Sequence, residues 1–82
     1  MIKMKQLRKI LANILEIDEN QITDGTSPEN VETWDSFNGL MLISELENEF
    51  NVVFTMNETR QIKNVGDIIT ILSKHGVKFI RE

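Results

Sequence analysis

Leu7, Ile10, Leu11, Ile14 and Leu15 recur at i, i+3, i+4, i+7 and i+8, the spacing that gathers apolar side chains on one face of an α-helix. This stripe predicts a helix over roughly residues 3–15. A second apolar-periodic segment runs from Ser36 to Phe50. A third, short helix opens with Thr55-Met56-Asn57-Glu58, a capping-box pattern. Asn64-Val65-Gly66-Asp67 is a looser form of the same signal. It starts a fourth helix through Val65, Ile68, Ile69 and Leu72, which stops near Gly76, a residue suited to closing a helix. Val52-Val53-Phe54 has no partner run of similar character and reads as apolar linker rather than strand. One proline and four glycines argue against a turn-rich β fold. The expectation is an all-α, four-helix bundle with a long first loop and a short third helix, one domain over residues 1–82.

Residues 16–35 form a connection of about 20 residues, well beyond the usual helix–helix loop. Ile17, Ile22 and Val31 are spaced to pin it to the helices as ordered irregular structure. Charge is segregated along the chain. All nine basic residues lie in the terminal segments, from Lys3 to Lys9 and from Arg60 to Arg81. Between Ile10 and Thr59 there are acids but no Lys or Arg. Such a stretch is either a solvated acidic face or a surface that attracts basic partners. It excludes nucleic acid as a partner, since phosphate neutralisation needs a basic patch. Cysteine is absent, which removes disulfides, thiolate metal sites and cysteine nucleophiles.

The acidic loop meets the second helix at Trp34-Asp35-Ser36-Phe37. A hydroxyl here stands at the positive end of the helix dipole, beside backbone N–H groups that lack intrahelical partners. The position suits a phosphate, although on position alone residues of these types more often simply cap the helix. At about 100° per residue, Gly39, Leu42, Ile43, Leu46 and Phe50 share the core face of this helix. Phe37 and Met41 lie nearly opposite, where a polar surface is expected. Leu40 falls between them and Ser36, as fit for core as for solvent. A cluster of large apolar residues one turn from Ser36 is the pattern of a surface made to be touched. Glu45, Glu47 and Glu49 surround the C-terminal half with negative charge.

With these features assembled, the chain resembles the acyl carrier proteins along nearly its whole length. Asp35-Ser36-Phe37 is a variant of the family's Asp-Ser-Leu signature, and Leu46-Glu47-Asn48-Glu49-Phe50 is similar to its Leu-Glu-x-Glu-Phe segment. The resemblance implies that Ser36 carries 4′-phosphopantetheine, added from coenzyme A by a phosphopantetheinyl transferase, with Asp35 as helix cap. The protein would then be a carrier and no enzyme, holding acyl groups as thioesters for acyl-transferring or condensing enzymes with basic docking patches. Phe37, Leu40, Met41, Glu45, Glu47 and Glu49 are the expected docking residues. Leu42, Leu46, Val53, Phe54, Met56 and Ile62 are candidate lining for a pocket that shelters the acyl chain. Asn38, Met41 and Asn48 stand where fatty-acid carriers place acids, so docking should lean on apolar contacts near Ser36. Together with Trp34-Asp35-Ser36, that departure looks more like stand-alone carriers of specialised pathways (polyketide-like, lipid-modifying or amino-acyl systems) than like a general fatty-acid carrier.

Two rival readings remain at the level of sequence. One is a carrier of amino-acyl, D-alanyl or peptidyl groups; the other is a small helical adaptor with no prosthetic group. His75, the lone histidine, is expected to serve as a dipole partner at the end of the fourth helix. Asp18-Glu19-Asn20-Gln21-Ile22-Thr23-Asp24-Gly25 faintly resembles a calcium loop, but Ile22 occupies a ligand position and the glycine falls late, so no metal is expected. Asn57-Glu58-Thr59 matches a glycosylation sequon without a secretory signal beside it. No apolar run reaches membrane-spanning length, and a cytoplasmic monomer is expected.

Overall fold

The computed structural model describes residues 2–80, and side chains over residues 4–80. Its helices are α1 (Met4–Leu15), α2 (Ser36–Phe50), α3 (Met56–Gln61) and α4 (Val65–Lys74). The predicted four-helix arrangement is present, and Val52-Val53-Phe54 forms no strand. One addition was not foreseen. Two-residue strands β1 (Ile2–Lys3) and β2 (Phe79–Ile80) pair in parallel, Ile2 beside Phe79 and Lys3 beside Ile80. A pairing this short has no periodicity to read in a sequence.

The core is a three-helix affair. Leu7, Leu11 and Leu15 of α1, Leu42 and Leu46 of α2, and Ile68 and Leu72 of α4 are fully buried. Helix α3 contributes no buried residue and lies against this core from outside. Among the described residues, no helix is long and apolar enough to cross a membrane.

Three helices end with the same device. Glu16, Asn51 and Gly76 adopt φ of 56°, 54° and 93°, just after α1, α2 and α4. The next residue's N–H then reaches back five positions: Ile17 to Ala12, Val52 to Glu47, and Val77 to Leu72, at 3.2, 3.1 and 3.0 Å. These bonds satisfy carbonyls that a helix end would leave without partners. Ile17, Val52 and Val77 also pack against the core, the apolar contact that accompanies this motif. Only Gly76 was legible as such a stop. Glu16 and Asn51 accept a conformation that glycine adopts more easily.

The long loop is ordered, as its apolar anchors suggested. Ile22 is buried, and Ile17 and Val31 are half-buried. A single 3₁₀ turn, Glu19–Gln21, is capped by Asp18, whose Oδ1 accepts from Asn20 N at 2.9 Å. The acidic run faintly like a calcium loop is therefore a capped turn at Asp18. Thr26 is the one buried polar residue among those described; its Oγ1 accepts from Thr23 N at 2.9 Å. Thr33 Oγ1 donates to the Leu15 carbonyl at the end of α1. The loop also closes the start of α4: Val65 N donates to Thr26 O at 2.9 Å and Gly66 N to Asp24 O at 2.8 Å.

Candidate functional site

The junction of the loop with α2 is built from four consecutive residues and one anchor. Asp35 has extended backbone and caps the helix, its Oδ1 accepting from Asn38 N at 2.9 Å. Its carbonyl accepts from Gly39 N at 2.8 Å. The Asn38 side chain reaches back and donates to Thr33 O at 2.8 Å, which fixes the direction in which the loop meets the helix. Trp34 is buried beneath this junction. Trp34 and Gly39 stand at the positions flanking a helix start that commonly pack together as a hydrophobic staple.

Ser36 is the first residue of α2 and is exposed. Capping falls to Asp35, so the Ser36 hydroxyl has no hydrogen bond among the described residues. The N–H groups of Ser36 and Phe37 likewise remain for solvent or an anion. Phe37, Leu40 and Met41 surround it, 71%, 68% and 48% exposed. The angular reading of Phe37 and Met41 holds, and the open question of Leu40 resolves toward solvent. On the opposite side Leu42 and Leu46 are buried, while Gly39, Ile43 and Phe50 are half-buried.

A cavity of about 480 Å³ opens between α2, α3 and α4, with Ser36 in its lining. Its walls are Trp34, Gly39, Leu40, Leu42 and Ile43 on one side and Thr59, Ile62 and Ile68 on the other. Of the six residues expected to line an acyl pocket, the structure places Leu42 and Ile62 here. Leu46 and Phe54 are buried elsewhere in the core. Val53 and Met56, 77% and 70% exposed, stand on the surface because α3 lies outside the core. The cavity wall formed by Trp34, Gly39 and Thr59 was not anticipated, although the staple position of Trp34 could have signalled it. A larger cleft of about 640 Å³ over the long loop includes Thr23 and Thr26, whose hydroxyl oxygens already accept bonds within the loop.

The acids of α2 are not equivalent. Glu45 and Glu49 are exposed. Glu47 is half-buried, and its Oε2 accepts from Phe54 N at 2.8 Å, which ties the α2–α3 linker to α2. Helix α3 is fixed at its start by a reciprocal box: Thr55 N donates to Glu58 Oε1 at 2.8 Å and Glu58 N to Thr55 Oγ1 at 3.1 Å. His75, expected only to complement the α4 dipole, places Nε2 at 3.0 Å from both Glu58 carboxylate oxygens. The bond from the Thr55 backbone, and then that from His75, hold the Glu58 carboxyl below its ordinary pKa of 4.5. The cavity wall supplied by α3 is thus braced against the end of α4.

Among the described residues there is no group of three or more His, Cys, Asp or Glu side chains able to hold a metal ion. The arrangement around Ser36 is instead an exposed hydroxyl, two open N–H groups for an anion, an apolar surface and an adjoining cavity.

Comparison with known proteins agrees with that chemistry. Residues 5–72 match the family model described as "Phosphopantetheine attachment site". An acyl carrier protein of Lactobacillus acidophilus is 30% identical over 70 residues, covering 85% of this chain and 88% of the relative. A solved Mycobacterium tuberculosis structure assigned as an acyl carrier protein superposes with a TM-score of 0.78 at 28% identity, covering 87% of this chain and 95% of that one. The chain belongs to the phosphopantetheine-binding acyl carrier proteins, which are carriers and not enzymes.

Proposed function

We propose that Ser36 is the residue that carries 4′-phosphopantetheine. The observation that supports this most is the division of labour at the start of α2: Asp35 caps the helix, leaving the Ser36 hydroxyl and two neighbouring N–H groups unengaged. In the attachment step Ser36 Oγ forms a bond to the phosphorus of coenzyme A that bears the pantetheine. The pyrophosphate bond breaks, 3′,5′-adenosine bisphosphate leaves, and the hydroxyl proton passes to a base on the transferase. The resulting phosphodiester gains from the open N–H groups and the helix dipole. The group's terminal thiol supplies the thioester link to acyl cargo. Incubation with coenzyme A and a broad-specificity phosphopantetheinyl transferase is expected to add about 340 Da to Ser36. Ser36→Ala abolishes the addition, and its appearance on another residue, or its absence with a competent transferase, removes the proposal.

A carrier works by meeting enzymes, and this chain offers them Phe37, Leu40 and Met41 around Ser36, with Glu45 and Glu49 farther along α2. Basic docking patches on acyl-transferring or condensing enzymes fit the acids, while the first turns offer apolar contact in place of charge. Glu47 is already spent on Phe54 N. Charge reversal at Glu49 is therefore expected to slow transfer modestly and in a salt-dependent way, whereas Phe37→Ser slows it more and independently of salt. Kinetics of a partner enzyme at two ionic strengths check this; equal salt dependence for both variants would contradict it. The cargo, in polyketide-like, lipid-modifying or fatty-acid chemistry, is sheltered at least in part by the cavity beside Ser36.

A further inference from the structure

Trp34 is 92% buried by the complement of its 8% exposure, yet its indole N–H has no hydrogen-bond partner among the described residues. Water satisfies such a donor in the free protein, and a ligand that displaces that water must replace the bond or leave the donor unpaired. The Nε1 atom is not sealed away, since no wholly buried polar side-chain atom lacks a partner among the described residues. It lies beside Gly39: a Cβ built there would stand 3.7 Å from Trp34 Nε1 and 3.9 Å from Cδ1. Both residues line the cavity that Ser36 shares.

Gly39 adds a second observation. Glycine inside a helix is less favourable than alanine. At 3.7 Å an alanine methyl would make ordinary contact with the ring, so sterics alone do not require glycine. Without a side chain, Gly39 adds no group over the N–H edge of the ring, and both residues line the cavity. Apart from Ser36, and Thr59 whose hydroxyl already donates to Thr55 O, the rest of the wall, Leu40, Leu42, Ile43, Ile62 and Ile68, is hydrocarbon. The site therefore combines an apolar wall with one directed donor, the composition of a pocket that recognises a mainly apolar ligand carrying an acceptor at one place.

We propose that Trp34 is a specificity-determining residue whose indole N–H selects acyl cargo bearing an acceptor oxygen along the chain, such as a 3-hydroxyacyl or 3-oxoacyl group, over a plain alkyl chain. This rests on Ser36 as the attachment point. A site with an unpaired donor discriminates against a ligand that leaves it unpaired.

The test uses the full chain, loaded on Ser36 with non-hydrolysable amide analogues of octanoyl and 3-hydroxyoctanoyl phosphopantetheine. Trp34 is the sole tryptophan, so the ¹H–¹⁵N spectrum contains one indole signal. The hydroxyacyl form is expected to move it downfield well beyond the octanoyl form, and the arm alone to leave it nearly in place. Equal movement by the two acyl forms, or full movement by the arm alone, would overturn the proposal. If the arm never attaches to Ser36, the attachment reading fails instead, and the mass spectrum shows which has happened. Trp34→Phe keeps an aromatic ring and removes the donor. In the wild type, hydroxylamine is expected to cleave the 3-hydroxyoctanoyl thioester about fivefold more slowly than the octanoyl one, each normalised to the free pantetheine thioester. That ratio falls to near one in Trp34→Phe; an unchanged ratio counts against Trp34. Gly39→Ala, which introduces no clash, is expected to reduce the indole shift while leaving the fold intact.

Discussion

Helices α2 and α4 start with the same device and leave it in opposite states. Each has a polar cap that accepts from the third helical N–H, Asp35 from Asn38 and Asn64 from Asp67. In α4 the first two N–H groups, those of Val65 and Gly66, are taken by the loop carbonyls of Thr26 and Asp24. In α2 the corresponding groups of Ser36 and Phe37 are open. The glycines repeat the contrast. A Cβ on Gly66 would meet Asn64 Oδ1 at 3.1 Å and Asp24 O at 3.3 Å, whereas one on Gly39 meets nothing nearer than 3.7 Å. One helix start is a joint that holds the long loop; the other is kept free for something the chain does not itself contain. A helix N-terminus thus becomes an anion site only where the rest of the fold declines to fill it.

The contrast predicts opposite signs for the same substitution. Gly66→Ala presses a methyl against a backbone carbonyl and must push the loop from α4, so it is expected to destabilise the protein by about 1–3 kcal/mol. Gly39→Ala replaces a flexible helical residue where space exists, and is expected to stabilise by about 0.5–1 kcal/mol. Urea unfolding of both variants measures this directly. Loss of stability in Gly39→Ala comparable to that in Gly66→Ala would show that the two starts are equally packed and that the open site is not open.

Much of this was legible because it is local. The apolar stripe of α1, the limits of α2 and the Thr55 box each follow from residues within a few positions of one another. The Asp35 cap, the exposure of Phe37 and Met41 and the order of the loop were readable for the same reason. What was not readable depends on residues far apart in sequence. Thr26 gains its meaning from Val65, Thr33 from Leu15, and Glu58 from His75. The pocket residues show the limit most plainly. Val53 and Met56 have the composition of a pocket wall, but α3 lies outside the core, and Trp34 and Thr59 occupy the wall instead. The unequal roles of Glu47 and Glu49 likewise arise from a linker N–H that no helical period reveals.

The start of α3 stands between the two extremes: its cap is closed, but by residues of its own turn and by one partner, His75, just after α4. Glu58 holds Thr55 N and contacts His75, and no buried side chain of α3 supports the helix otherwise. Its carboxyl is held below the ordinary value of 4.5, so the carboxylate form is favoured by folding. A depressed folded pKa contributes stability that is fully present above the unfolded value and is lost as pH falls through the folded one. The wild type is therefore expected to lose stability below about pH 4.5 more steeply than Glu58→Gln, with the difference in Tm between them shrinking as the pH drops. The effect is small, because the group is near the surface. Since α3 supplies Thr59 and Ile62 to the cavity, the same variant is also expected to loosen that wall at neutral pH. Faster amide hydrogen exchange over residues 56–62 than in the wild type, with exchange in α1 unchanged, checks this. Uniform acceleration across the chain would instead make α3 part of the common core, and its partial independence from the closed start of α4 would disappear.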